Sequence, residues 1–272
     1  MMIVNSSSPP PQAALKQIRM QIMSEKKYKD VSIFPDTDSL SQAAARYIIQ
    51  VANESIVTHG RFTFALTGGS TPKKLYSLLA SEPYSSQINW ALVEVFWSDE
   101  RCVPPDDPES NFHLAQQVML SKLPIPANQI HRMPADAPDR NAASLAYTQE
   151  MQRVFGTNGI PSFDLIHLGM GPEAHTASLF PHQASLHEQQ RLVMPVTVPK
   201  PPPPRLTFTP PVLNAAIHVL FLVTGEEKAE AIQAVLEGPY QPDEYPAQIV
   251  QPARGEATWM LDAAAAKQLK HK

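Results

Sequence analysis

Apolar residues fall into short runs of five to seven, and three of these runs share one grammar. Phe62-Thr63-Phe64-Ala65-Leu66 is followed by Thr67-Gly68-Gly69-Ser70-Thr71-Pro72 and then by a helical pattern from Lys73 to Ala80. Asp164-Leu165-Ile166-His167-Leu168 leads into Gly169-Met170-Gly171-Pro172, and Ile217 to Val223 leads into Thr224-Gly225 and a helical pattern from Glu226 to Leu236. A fourth run, Val93 to Trp97, ends in what reads as an acidic-basic loop, Asp99-Glu100-Arg101. Runs of this length, rich in β-branched and aromatic residues, predict buried strands of a parallel sheet. Helical stripes lie beside them: Ala43, Tyr47, Ile48 and Val51 before the first run, and Ala229, Ile232, Val235 and Leu236 after the third. Alternating strands and helices predict an open α/β sheet with helices on both faces. Ligands of such sheets sit at the carboxyl ends of the strands. The loops after these four runs are therefore expected to converge on one site.

Two segments depart from this alternation. Met1 to Asp30 is polar, carries Pro9-Pro10-Pro11 and Lys26-Lys27, and lacks the apolar region of a secretory signal. It is expected to be a flexible or helical extension, with a single folded domain running from Val31 to Lys272. Val198 to Arg205 is proline-rich and lies between the β-like runs Val193 to Val198 and Leu206 to Phe208. It reads either as a polyproline II linker or as a rigid arm placing Lys200 and Arg205, and the flanking runs favour the arm.

Composition narrows the function classes. Hydrophobic residues make up 43% and charged residues 18%, as in a globular chain. A net charge of −4 gives no general footprint for nucleic acid or an anionic membrane, so an anionic ligand must find local donors. No stretch approaches the ~20 apolar residues of a membrane span. The single cysteine, Cys102, cannot form an internal disulfide, which fits a reducing compartment and a cytoplasmic enzyme.

The turn residues carry the chemistry. Gly68-Gly69-Ser70-Thr71-Pro72 reads as an anion cradle: glycines admit close backbone approach, Ser70 and Thr71 offer hydroxyls and a helix cap, and Pro72 suits the first turn. Gly169 to Ala174 matches a dinucleotide-binding fingerprint, but Pro172 removes a needed N–H and no acidic strand end follows ~20 residues on. His175 closes that loop and is placed for acid–base work near neutral pH. His167 and His218 lie within strand runs and read as structural. His175, His182 and His187 lack a zinc spacing, so no metal is expected. Asp99 and Arg101 can meet sugar hydroxyls or phosphate. Lys228, near a helix start against the dipole, suits an anion.

In order, these pieces resemble the 6-phosphogluconolactonase family. The resemblance rests on Gly68 to Pro72, Phe96 to Arg101 with Ser110-Asn111-Phe112, and Gly169 to Pro181. Lys200 to Arg205, Gly225 with Lys228, Tyr245-Pro246-Ala247 and Trp259 to Asp262 extend it, so that it spans about Val31 to Ala266. It implies a three-layer α/β/α fold with a mostly parallel, Rossmann-like sheet. It further implies hydrolysis of 6-phosphogluconolactone in the pentose phosphate pathway without metal or organic cofactor. Gly68 to Thr71 would hold the phosphate, helped by Arg205 and Lys228. His175 would activate water, Glu173 would accompany it, and Arg101 or N–H groups around Gly171 would meet the oxyanion. Asp99 would orient Arg101 or a sugar hydroxyl. The partner implied is a small sugar phosphate, and the chain is expected to act as a monomer or weak homodimer.

Three positions differ from the family pattern: Glu173 stands for aspartate, Ala174 for a glycine that suits positive φ, and His182 for a common glycine. They keep a non-catalytic sugar-phosphate binder in view. The related amino-sugar-phosphate isomerases and deaminases share the histidine loop. They carry a glutamate where this chain has Phe180.

Overall fold

The apolar runs do become strands, and their neighbours in sequence are not always their neighbours in space. The structure, a computed structural model, describes residues 30–202 and 204–270. The extension expected over residues 1 to 29 lies outside the described residues. The strands of the main sheet are β1 (Val31–Phe34), β2 (Phe62–Leu66), β3 (Val93–Trp97), β5 (Leu165–Leu168), β8 (His218–Val223) and β9 (Glu256–Asp262). They run in the order β1-β9-β8-β5-β2-β3, and every pairing is parallel. The helices are α1 (Thr37–His59), α2 (Ser70–Leu79), α3 (Asn111–Val118), α4 (Arg140–Phe155), α5 (Pro210–Ala215) and α6 (Ala229–Glu237). They flank the sheet in the three-layer α/β/α arrangement. All five residues of β2 and all four of β5 are buried, which is why these runs show no polar alternation.

Local chemistry sets the helix ends. Asp36 caps α1 by accepting from the Ser39 N–H at 2.8 Å, and Gly60 closes it at φ 85°. Asp139 caps α4 by accepting from Asn141 and Ala142, each at 3.0 Å. At the amino end of the sheet, Asp164 Oδ2 accepts from both the N–H and the hydroxyl of Thr63 at 2.8 Å, and its Oδ1 lies 2.9 Å from His59 Nε2. One carboxylate thus joins β5, β2 and the end of α1. No described helix is long and apolar enough to cross a membrane.

The β-like runs flanking the Pro-rich segment become strands too, but of a second sheet that was not expected. β4 (Asp99–Arg101), β7 (Pro204–Phe208) and β6 (Val193–Thr197) form an antiparallel sheet in the order β4-β7-β6. The expected loop at 99–101 is therefore a strand. Its three residues read as polar because they pair over the site instead of filling the core. Arg101 is paired in register with Arg205. The Pro-rich segment is the turn of the β6–β7 hairpin, so it is an arm and not a free linker.

Candidate active site

Four strand ends open onto one cleft of about 230 Å³. The loop after β2 supplies Thr67 to Pro72, β4 supplies Asp99 and Arg101, the loop after β5 supplies Gly169 to Gly171 and His175, and the end of β8 supplies Leu222 to Thr224. Asn111, Lys200, Arg205 and Lys228 complete the walls. Every site residue expected from the sequence lines this cleft except Glu173, which stands behind His175. Lys200 was expected on the arm and Asn111 within the family motif, each without a stated contact, and Thr224 only as part of a turn; their places in the cleft were not expected. They become visible only when α3, the hairpin turn and the end of β8 come together.

The cradle differs in detail from the expectation. Gly69, at φ 116°, is itself the cap of α2, and no side chain accepts a hydrogen bond from the first turn. Neither Ser70 nor Thr71 is the cap; both lie within the helix. The first N–H groups of α2 are thus left for an anion, with the helix dipole behind them. Thr71 Oγ1 is 2.7 Å from Thr224 Oγ1, tying the cradle to β8. Gly68 is required by close approach, because a Cβ there would fall 1.7 Å from Asn111 Oδ1. Beneath the cradle, the buried Tyr76 hydroxyl accepts from the Thr67 N–H at 3.0 Å and lies 3.0 Å from His167 Nδ1.

Asp99 is 4% exposed and sits at the centre of a polar web. Ser178 Oγ donates to its Oδ2 at 2.7 Å, and Asn111 Nδ2 donates to its carbonyl at 2.9 Å. Arg205 Nη1 lies 4.0 Å from the same Oδ2. The carboxylate therefore faces Arg205, Ser178 and Asn111; it does not orient Arg101. Arg101 is held elsewhere, Nη1 donating to the Glu109 carbonyl at 2.5 Å. Arg205 donates from Nε to the Pro202 carbonyl at 3.2 Å and from Nη2 to the Pro201 carbonyl at 3.4 Å. It thereby holds the hairpin turn that carries Lys200. Glu100, next to Asp99, accepts from the N–H groups of Asn111 and Phe112 at 2.8 Å each, at the start of α3. Arg101 Nε and Asn111 Oδ1 are buried polar atoms without a hydrogen-bond partner. Such orphaned groups are uncommon in folded proteins and call for an explanation.

His175 is fixed on several sides. Nδ1 is buried and lies 3.1 Å from Glu173 Oε1. The approach is poorly aligned for a hydrogen bond, and the pair is ionic only when the imidazole is protonated. That contact with the imidazole holds the Glu173 carboxyl down to about 2, so it is ionised at neutral pH. A Cβ on Gly171 would fall 2.0 Å from Nδ1, so this glycine makes room for the ring. The Gly171 N–H is already spent, donating to the His175 carbonyl at 3.0 Å, and the Ala174 N–H donates to the Gly171 carbonyl at 2.9 Å. Of the N–H groups around Gly171 expected as oxyanion donors, those of Gly171 and Ala174 are therefore already engaged. The loop after β5 turns without entering a helix, which removes the dinucleotide fingerprint. Lys228 is largely buried, with Nζ 3.6 Å from Glu227 Oε1. Among the described residues, no cluster of histidine, cysteine, aspartate and glutamate could hold a metal ion.

Two departures from the family pattern occupy left-handed backbone, Ala174 at φ 60° and His182 at φ 59°. At Ala174 the methyl group is fully buried, and its burial offsets the strain. The His182 side chain is 64% exposed, so nothing comparable offsets its strain. His182→Gly is therefore expected to stabilise the fold by about 0.5–1 kcal/mol. Chemical denaturation read at constant m-value checks this.

Residues 35–259 match the family model described as glucosamine-6-phosphate isomerases/6-phosphogluconolactonase. The chain is 39% identical over 243 residues to a 6-phosphogluconolactonase of Nostoc sp., covering 89% of this chain and 98% of that one. To the 6-phosphogluconolactonase of Homo sapiens it is 38% identical over 245 residues, covering 88% and 93% of the two chains. The solved 6-phosphogluconolactonase of Trypanosoma cruzi superposes with a TM-score of 0.81 at 28% identity, over 90% of this chain and 98% of that one. With its parallel sheet, its glycine-capped cradle and its histidine loop, this chain belongs to the glucosamine-6-phosphate isomerase/6-phosphogluconolactonase family.

Proposed function

We propose that the chain hydrolyses 6-phospho-D-glucono-1,5-lactone to 6-phospho-D-gluconate, the lactonase step of the pentose phosphate pathway, with His175 as general base. The observation that carries this reading is the setting of the His175 ring: Nδ1 is turned back onto Glu173, so Nε2 is the nitrogen offered to the cleft. A neutral imidazole so placed takes a proton from water as the water oxygen adds to the lactone carbonyl. Collapse of the adduct breaks the bond between C1 and the ring oxygen, and the proton returns to that oxygen as the hydroxyl forms. Arg101 faces the charge that builds on the carbonyl oxygen, the largest catalytic contribution in such reactions. Gly68 to Thr71 take the phosphate on the free N–H groups of α2, with Lys228 as counter-charge. Arg205 supports this end indirectly, through the turn that bears Lys200.

Two other readings are weaker. An isomerase or deaminase needs a carboxylate where Phe180 stands, and Phe180 is 1% exposed against the imidazole. A non-catalytic binder is motivated by Glu173 and Ala174, yet Glu173 reaches Nδ1 and Ala174 is accommodated. The cleft is formed by residues of one chain, in keeping with an enzyme acting as a monomer or weak homodimer. Purified protein is expected to remove freshly made 6-phosphogluconolactone well above its spontaneous rate. A rate equal to the buffer blank rejects the proposal. Binding of 6-phosphogluconate without turnover would support the binder instead.

A further inference from the structure

Phe180 lies flat on the catalytic-loop histidine. The two ring centroids are 4.1 Å apart and the planes differ by 8°. The turn between them makes this contact possible: Leu179 N–H donates to the Thr176 carbonyl at 2.9 Å, and Ala177 takes φ 47°. The chain thereby doubles back and lays residue 180 over residue 175. Phe180 is not part of the main core. It forms a separate apolar cluster with Met194, Val196 and Val198, supplied by β6 and the residue after it. The imidazole is thus closed on one face by a phenyl ring, at Nδ1 by Glu173, and around Nδ1 and Cε1 by the tight approach of Gly171.

We propose that Phe180 is a positioning residue for the hydrolytic reaction: its ring, backed by β6, holds the His175 imidazole in the plane that presents Nε2 to the cleft. The inference rests on the reading of His175 as general base. The second sheet acquires a reason from it, since β6 supplies the surface against which the ring is pressed. An imidazole has two soft side-chain torsions, and the contact of Glu173 with Nδ1 is too poorly aligned to fix both. A flat aromatic neighbour restricts tilt, which a branched or flexible aliphatic side chain of similar volume does not. Misplacement of a catalytic group by about 1 Å costs on the order of 100-fold in rate, with little effect on groups that only bind.

The test compares Phe180→Leu with Leu40→Ala, a fully buried truncation in α1 remote from the cleft. Phe180→Met is the second variant should leucine fail to fold. Phe180→Leu is expected to lower kcat for lactone hydrolysis by roughly 10- to 100-fold while KM stays within about twofold. Leu40→Ala is expected to lower the melting temperature without lowering kcat. Nitrogen-15 spectra of the histidine side chains supply a readout that stability alone does not move. His175 in the wild type is expected as one tautomer, protonated at Nδ1, and in Phe180→Leu as an averaged mixture. The proposal is overturned if Phe180→Leu keeps kcat within twofold, or if its tautomer is unchanged. If His175→Ala proved as active as wild type, the general-base reading would fall and the positioning role with it, whereas wild-type protein no faster than the buffer blank would reject the lactonase reading. A fall in kcat at Phe180→Leu with His175→Ala inactive and the tautomer changed upholds the positioning role.

Discussion

Replacing His175 by alanine is expected to reduce kcat for 6-phosphogluconolactone hydrolysis by roughly 10²- to 10⁴-fold, the usual worth of a positioned general base. KM is expected to change little, because the groups proposed to take the phosphate, the Gly69-capped start of α2 and Lys228, are separate from the imidazole. Loss in kcat with KM preserved is the signature of an interaction made only in the transition state. The measurement is disappearance of fresh lactone, with the spontaneous rate subtracted at each pH. Residual activity above about a tenth of wild type would remove His175 from the mechanism. Glu173 makes the case sharper. Its carboxyl, held down to about 2, remains charged wherever the enzyme could work, so the field it places at Nδ1 is constant.

The second large effect concerns stability against acid. His167 is completely buried in β5, and burial pushes its pKa down to about 3 from 6.5. The unfolded chain takes up a proton as pH falls through 6.5, whereas the folded chain does not until about 3. Stability is therefore lost as pH falls across that window and is fully present above it. Between pH 7 and pH 5 this one group removes about 2 kcal/mol of folding stability. His167→Gln, which does not titrate and can still meet the Tyr76 hydroxyl, is expected to flatten the pH dependence by that amount. Urea denaturation of both proteins at the two pH values decides it; parallel pH slopes would show that His167 does not govern acid sensitivity. The location matters for function as well. The Tyr76 hydroxyl beside His167 also accepts from Thr67 at the root of the cradle, so one side chain joins His167 to that loop.

Much of the site was legible in the residues. Gly68, Gly69, His175, Asp99, Arg101 and Lys228 each follow an apolar run, and parallel strands necessarily deliver their following loops to one edge. Ala174 and His182 were recognisable as departures, and both do occupy the left-handed backbone that favours glycine. The partners of these residues were not legible. Asp99 was expected near Arg101 because the two are close in sequence; in a strand, residues two apart share a face, but their side-chain tips choose among neighbours from other strands. Here Ser178 and Arg205, more than 70 positions away, take the carboxylate. Glu173 was expected in the site itself and proves to stand behind it.

The layered α/β scaffold and the identity of its chemical groups were readable from the order of residues alone. Those depend on local periodicity, turn chemistry and the order of motifs along the chain. The tertiary structure alone decided the rest: the antiparallel sheet of β4, β7 and β6, the glycine cap that leaves the first turn of α2 open, and the laying of Phe180 on His175. Each arises from contacts between segments far apart in the chain, or from a short turn whose direction is set by what it packs against. Such contacts are selected by shape and burial over the whole molecule and leave no period in the sequence.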